Sequence, residues 1–206
     1  RTAPIVQNGK YIGRFGKKAA VYDLLQQTAN AYNQDIGISS SFETVDTYSG
    51  QPIDPEVTTQ TVNDVVFYLQ TLKAPVQRDQ QDGSVQNGRQ LFLNTGCAGC
   101  HTPQLATGYS PIAALSNKTF FPYTDLLLHD MGPGLDDGYT EGSASSSEWR
   151  TPPLWGLGLS KNSQGGQYFL LHDGRAGSIE EAIVLHGGEA TQSKTRFQQL
   201  TGEGRS

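Results

Sequence analysis

The pentapeptide Cys97-Ala98-Gly99-Cys100-His101 contains both cysteines of this 206-residue chain, in the C-x-x-C-H spacing of a c-type haem attachment site. No other feature restricts the fold as much. Two thiols separated by two residues add across the two vinyl groups of one porphyrin, and the histidine that follows directs its imidazole at the iron. Such a chain has to wrap a flat macrocycle that cannot leave. A structural zinc site would draw on four Cys or His ligands, and no second C-x-x-C exists. A thioredoxin-like dithiol expects a βαβ setting, whereas the residues before Cys97 read as a helix and those after it as irregular chain. With Cys97 and Cys100 on haem, no cysteine is left for thiol chemistry.

Apolar residues make up only 35 % of the chain, beside 24 glycines and 10 prolines. That composition predicts many loops wrapped around something other than side chains, and a porphyrin fits. The formal charge of -5 gives no basic footprint for nucleic acid or for an anionic membrane surface, and is compatible with a basic redox partner. No apolar run has the length needed to cross a bilayer. Covalent haem c is assembled outside the bacterial cytoplasm, so a removed signal peptide and a periplasmic or extracellular protein are expected.

Helical spacing of Val21, Leu24, Leu25, Thr28, Ala29 and Tyr32 predicts a first helix between Lys17 and Asn33. A second is predicted from Pro55-Glu56, with Asp54 as N-cap and Pro75 as its stop. The polar run Gln77 to Gln86 reads as a linker. From Val85 the pattern is helical again, with Gly88, Leu91 and Phe92 on one face ahead of the haem motif. Residues between Thr102 and Gly177 read mostly as loop, with a short apolar turn at Leu126 to Leu128. A last helix is signalled by Ser178 as N-cap, Glu181 as its capping-box partner and Gly187-Gly188 at its end.

Iron bound by His101 has one further axial position, and its occupant decides between electron transfer and chemistry on a small ligand. The candidates are Met131, His129, His172 and His186. Met131 would raise the potential from a loop, or fill a gap in the core. His129 and His172, each followed by aspartate, read as hydrogen-bonded turn residues or propionate neighbours. His186 sits at the end of a capped helix and is followed by two glycines that permit close approach to a macrocycle, which favours it over the others.

The stretches Tyr123 to Gly132, Glu148-Trp-Arg-Thr-Pro-Pro-Leu-Trp155, Leu171-His-Asp-Gly-Arg175 and Glu180-Glu-Ala-Ile-Val-Leu-His-Gly-Gly-Glu-Ala190 resemble the bacterial di-haem cytochrome c peroxidase superfamily. The nearer likeness is to the C-terminal haem half of its di-haem oxidoreductase branch, often labelled thiol oxidoreductase. In the peroxidases the helix after the His-Asp-Gly turn ends in the distal ligand. The matching position here is His186, so the resemblance implies iron between His101 and His186. It also implies that Arg150 lies near a haem propionate, where a guanidinium fork suits a carboxylate. Trp149 and Trp155 are expected to pack on the porphyrin, and Arg175 is a second propionate candidate. Related sequences have a tryptophan where this chain has Lys17, which weakens any aromatic bridge between haems.

The fold expected is mostly α: a cytochrome c domain with one covalent haem over residues 82–206, many loops, and a helical N-terminal extension. Residues 1–81 would be a helical interdomain segment or the remnant of a first haem domain. Function is read as electron transfer through a bis-histidine haem. The alternative is the electron-feeding half of a di-haem peroxidase or oxidoreductase whose catalytic haem lies outside this chain. Expected partners are a redox protein or second haem domain, with an oligomer or multihaem assembly as a third arrangement. The resemblance to the peroxidases also implies a calcium ion between haem domains, although Asp125, Asp130, Asp136 and Asp137 do not form a recognisable calcium loop.

Overall fold

The structure, a computed structural model, describes residues 6–205. The chain divides into two compact units, one ending at Lys73 and one beginning at Ala74.

In the first unit, β1 (Val6–Gln7) and β2 (Lys10–Tyr11) form an antiparallel hairpin. Helix α1 (Leu24–Asn30) starts later than its apolar spacing predicts. Ala19 has a left-handed φ of 52°, and extended Asp23 caps the helix by accepting from the Gln26 amide at 2.8 Å. The helix then runs into a wider turn over Ala31–Asp35. Helix α2 (Thr59–Thr71) also begins late, with Thr58 rather than Asp54 as its cap. The backbone amides of Glu56 and Val57 donate to the Ser39 carbonyl, and the Glu56 carboxylate accepts from the Ser39 amide, so this stretch is tied down before the helix can start. It ends at Thr71, ahead of the expected stop at Pro75. The two helices pack together over fully buried Val62 and nearly buried Ala29.

In the second unit, helix α3 (Gly83–Asn94) is capped by Asp82, whose carboxylate accepts from the Ser84 amide at 2.8 Å. The end of the polar run read as a linker is therefore already helical. The region expected to be mostly loop contains two short antiparallel ladders and a helix. Strand β3 (Leu105–Ala106) pairs with β4 (Thr119–Phe120). Strand β5 (Leu128–Asp130) pairs with β6 (Glu148–Arg150), placing His129 opposite Trp149. Leu128 thus belongs to a strand, and Leu126, at φ 62°, breaks the apolar turn expected there. Helix α4 covers Leu157–Ser163.

Helix α5 (Ile179–Leu185) has the predicted cap: the Ser178 hydroxyl accepts from the Glu181 amide at 3.0 Å. The Glu181 carboxylate reaches one residue further back than a capping box requires, accepting from the Gly177 amide at 2.7 Å. Helices α6 (Thr191–Gln198) and α7 (Gly202–Arg205) follow. Among its described residues the second unit is thus mostly helix and loop, with strands of two and three residues. Among the described residues no helix is long and apolar enough to cross a membrane.

Candidate haem-binding site

Helix α3 delivers the C-x-x-C-H motif. Its last turn is closed by buried Thr95, whose hydroxyl donates to the Leu91 carbonyl at 2.8 Å. Gly96 then adopts φ 89°, turning the chain out of the helix into one tight turn over Cys97–Gly99. A Cβ at Gly96 would meet Ser193 Oγ at 3.1 Å and Arg196 Nη1 at 3.2 Å, so α6 lies directly over this turn. The left-handed backbone favours glycine there, and a Cβ would make the Ser193 and Arg196 side chains give way slightly.

His101 Nδ1 donates to the Tyr123 carbonyl at 3.0 Å. A carbonyl can only accept, so Nδ1 holds the proton and the Nε2 lone pair is free to ligate. Tyr123 is itself left-handed, at φ 55°, and Phe92 packs edge-on against its ring with centroids 5.5 Å apart. The following residue, Thr124, is 1 % exposed; its hydroxyl donates to the Thr151 carbonyl at 2.7 Å and accepts from the Leu126 amide at 2.9 Å. The Thr124 and Asp125 amides donate to the Thr102 and Cys100 carbonyls. The loop that orients His101 is therefore stitched to the motif on both sides.

His186 caps the C-terminus of α5 and repeats the pattern, with Nδ1 donating to the Ala182 carbonyl at 2.6 Å. The next two glycines pack backbone to backbone against the end of β5. A Cβ at Gly187 would meet the Met131 carbonyl oxygen at 2.8 Å, and one at Gly188 would clash with the Asp130 carbonyl and lie 2.7 Å from the Gly132 amide.

Burial pushes the His101 pKa below its ordinary value; the bond to Tyr123 opposes this, and the neighbouring His186 lowers it further. Burial likewise lowers His186, against its bond to Ala182 and with help from Lys194. Both rings are held in the neutral form that metal binding requires. Two thiols at haem spacing beside two neighbouring neutral imidazoles with free Nε2 atoms are a donor set that fits a c-type haem. They would hold its vinyl carbons and its iron.

A redox dithiol fits poorly. Burial, together with the charges of Asp125, Glu189 and Cys97, pushes the Cys100 thiol up, the opposite of a reactive Cys-x-x-Cys pair. Ligand atoms of Cys100, Asp125 and His129 lie within 4.8 Å of one another, one donor short of a structural zinc set.

The other sequence candidates are spread around this centre. Both ring nitrogens of His129 meet carboxylates at 2.9 Å, Asp125 on Nε2 and Glu189 on Nδ1. His172 stacks on Trp149 with centroids 3.7 Å apart and an interplanar angle of 11°, and Trp149 Nε1 donates to the Leu135 carbonyl. Met131 is half-buried in the loop that braces Gly187, with its amide donating to Ser147. Arg150 is half-buried on β6, and burial lowers the pKa of its guanidinium; its Nη1 donates to the Thr151 carbonyl at 3.3 Å. Trp155 is 38 % exposed, with its ring 6.0 Å from that of Phe120. Arg175 pairs with Asp173 and donates to the Gly134 carbonyl. Asp136 and Asp137 accept from the amides of Gly138 and Tyr139 in their own turn. Sequence reasoning gave Thr124 and Glu189 no role of their own, although both lie in stretches that carry the resemblance, because each acts through a partner distant in sequence.

No curated protein and no solved structure matches the chain. The family model described as "di-haem oxidoreductase, putative peroxidase" matches residues 6–206. This match covers the haem motif, both imidazoles and the loops that orient them, and the chain belongs to the di-haem oxidoreductase family.

Proposed function

We propose that this chain transfers single electrons through one haem c bound to Cys97 and Cys100, with His101 and His186 on the two faces of its iron. The observation that carries this reading is the pair of neighbouring imidazoles, each with Nδ1 committed to a backbone carbonyl and Nε2 left to ligate. When bound, the haem supplies a one-electron iron couple, at lower potential with two imidazoles than with histidine and methionine.

The protein's part is to orient and to tune. The Tyr123 and Ala182 carbonyls fix the two rings and raise their basicity as ligands. Arg150 has a guanidinium whose partial burial costs solvation, which suits a buried propionate as its counter-charge. Trp155, 38 % exposed, would pack on the macrocycle. In this reading residues 82–206 form a cytochrome c domain in a periplasmic or extracellular protein.

One observation favours a second reading. The family is a di-haem one, yet the chain contains one C-x-x-C-H motif. The chain would then feed electrons to a catalytic haem held by another domain or partner.

Absorption and electron paramagnetic resonance spectra of the haem-loaded protein, before and after peroxide, separate these from direct peroxide chemistry. Low-spin bis-imidazole signals unmoved by peroxide are expected. A high-spin component consumed by peroxide would overturn the His101/His186 assignment.

A further inference from the structure

His129 stands between the two segments that carry the axial imidazoles. Its Nε2 meets Asp125 and its Nδ1 meets Glu189, each at 2.9 Å. Asp125 follows Tyr123 by two residues, and its amide donates to the Cys100 carbonyl, so it belongs to the loop that orients His101. Glu189 follows His186 by three residues. Its second carboxylate oxygen accepts from the Asp130 amide at 2.9 Å. The His129 side chain is only 16 % exposed, and its backbone lies in the β5–β6 ladder opposite Trp149. A fixed ring thus joins a proximal carboxylate to a distal one.

The distal side needs such a join. Helix α5 has seven residues and ends at Leu185 with His186 as its cap, and the two glycines that follow lean on the end of β5 through backbone packing but offer no side chain to anchor the loop. The Ala182 carbonyl orients the ring from the helix side. Glu189 closes the far end of the same loop. Resting on the bis-imidazole reading above, we propose that Asp125, His129 and Glu189 form a side-chain tie that holds the His186 loop in ligating position. His129 and Glu189 are positioning residues in this arrangement, and neither ligates the iron. A doubly hydrogen-bonded imidazole between two carboxylates resists displacement better than either pair alone, because each charge-assisted bond fixes the ring for the other.

The test uses the haem-loaded protein and cyanide, which binds ferric iron only when the distal ligand leaves. The unaltered protein is first required to show a low-spin bis-imidazole spectrum. Failure at that step overturns the ligation reading and with it the basis of the tie. Given that spectrum, Glu189→Ala is expected to bind cyanide about 10-fold faster or more, the scale on which removing an outer-shell partner weakens a metal ligand. Glu189→Gln keeps an oxygen for the Asp130 amide and can donate its own amide N–H to Nδ1 of neutral His129, so it is expected to accelerate cyanide binding less than Glu189→Ala. An unchanged rate in Glu189→Ala, or equal acceleration in both variants, would overturn the tie. If Glu189→Ala does not fold, His129→Ala supplies the test: cyanide binding about 10-fold faster or more is expected, and an unchanged rate would overturn the tie.

Discussion

His186 Nδ1 donates to the Ala182 carbonyl at 2.6 Å, one turn back along the helix that His186 caps. That carbonyl is free because it lies in the last turn of α5, where carbonyls have no intrahelical partner. A helix end that would otherwise leave an acceptor unused therefore sets the tautomer of the His186 imidazole. His101 achieves the same with the Tyr123 carbonyl, from a loop.

Replacing His186 should alter the haem before it alters the fold. His186→Met is expected to raise the reduction potential by on the order of 0.1 V, within the range that axial ligands span. His186→Ala should convert the ferric haem to high spin, and added imidazole should reverse this. Spectroelectrochemical titration and the visible spectrum check both.

Gly188 tolerates no side chain. Its φ is 49°, and a Cβ would be driven into the Asp130 carbonyl and the Gly132 amide, backbone atoms that cannot rotate away. Gly188→Ala should cost about 2–4 kcal/mol, combining left-handed strain with overpacking. The denaturant midpoint of the haem-loaded protein measures it.

Thr124→Val should destabilise by about 2–4 kcal/mol, since it strips partners from the Thr151 carbonyl and the Leu126 amide at a buried position. Thr124→Ser keeps the hydroxyl and should recover most of the loss. Paired urea titrations distinguish loss of the hydrogen bonds from loss of the methyl group.

The Asp125–His129–Glu189 cluster should make stability depend on pH from both sides. Burial tends to raise the Asp125 carboxyl, but the Leu127 amide and His129 hold it below 3.8. Hydrogen bonds from His129 and the Asp130 amide hold Glu189 below 4.5. Burial alone would lower His129, yet its bonds to Glu189 and Asp125 carry it above 6.5. The carboxylate contribution is present above 4.5 and is lost as pH falls through the lower folded values. The imidazole contribution is complete below 6.5 and is lost as pH rises through the higher folded value. The stability difference from His129→Gln should therefore be largest between 4.5 and 6.5 and shrink on either side. Its amplitude should be about 1 kcal/mol or less, because Glu189 is half in solvent and screened. Thermal midpoints of both proteins across pH 3–9 follow it.

Local chemistry made several elements legible from residues alone. The Ser178 cap of α5 was readable because a serine three residues before a glutamate satisfies free amides within one turn. The helix ahead of Cys97 was readable from Val85, Gly88, Leu91 and Phe92 at helical spacing. Helix starts were misplaced where distant partners intervened, as when Ser39 holds Glu56 and Val57 out of α2. The β5–β6 ladder was missed because three-residue strands have no period to detect, and its partners are separated by a long loop.

The sequence by itself pointed to haem, through the consecutive residues of C-x-x-C-H, and to the family, through the stretches around Trp149, His172 and His186, a membership that the family match bears out. It also narrowed the distal ligand to one methionine and three histidines. Only the tertiary structure shows what each of those candidates touches: His129 is clamped by two carboxylates, His172 is stacked on Trp149, Met131 lies in the loop that braces Gly187, and His186 has its Nδ1 on the Ala182 carbonyl. Which imidazole is free to ligate depends on what its other nitrogen touches, and those contacts join residues that are far apart along the chain.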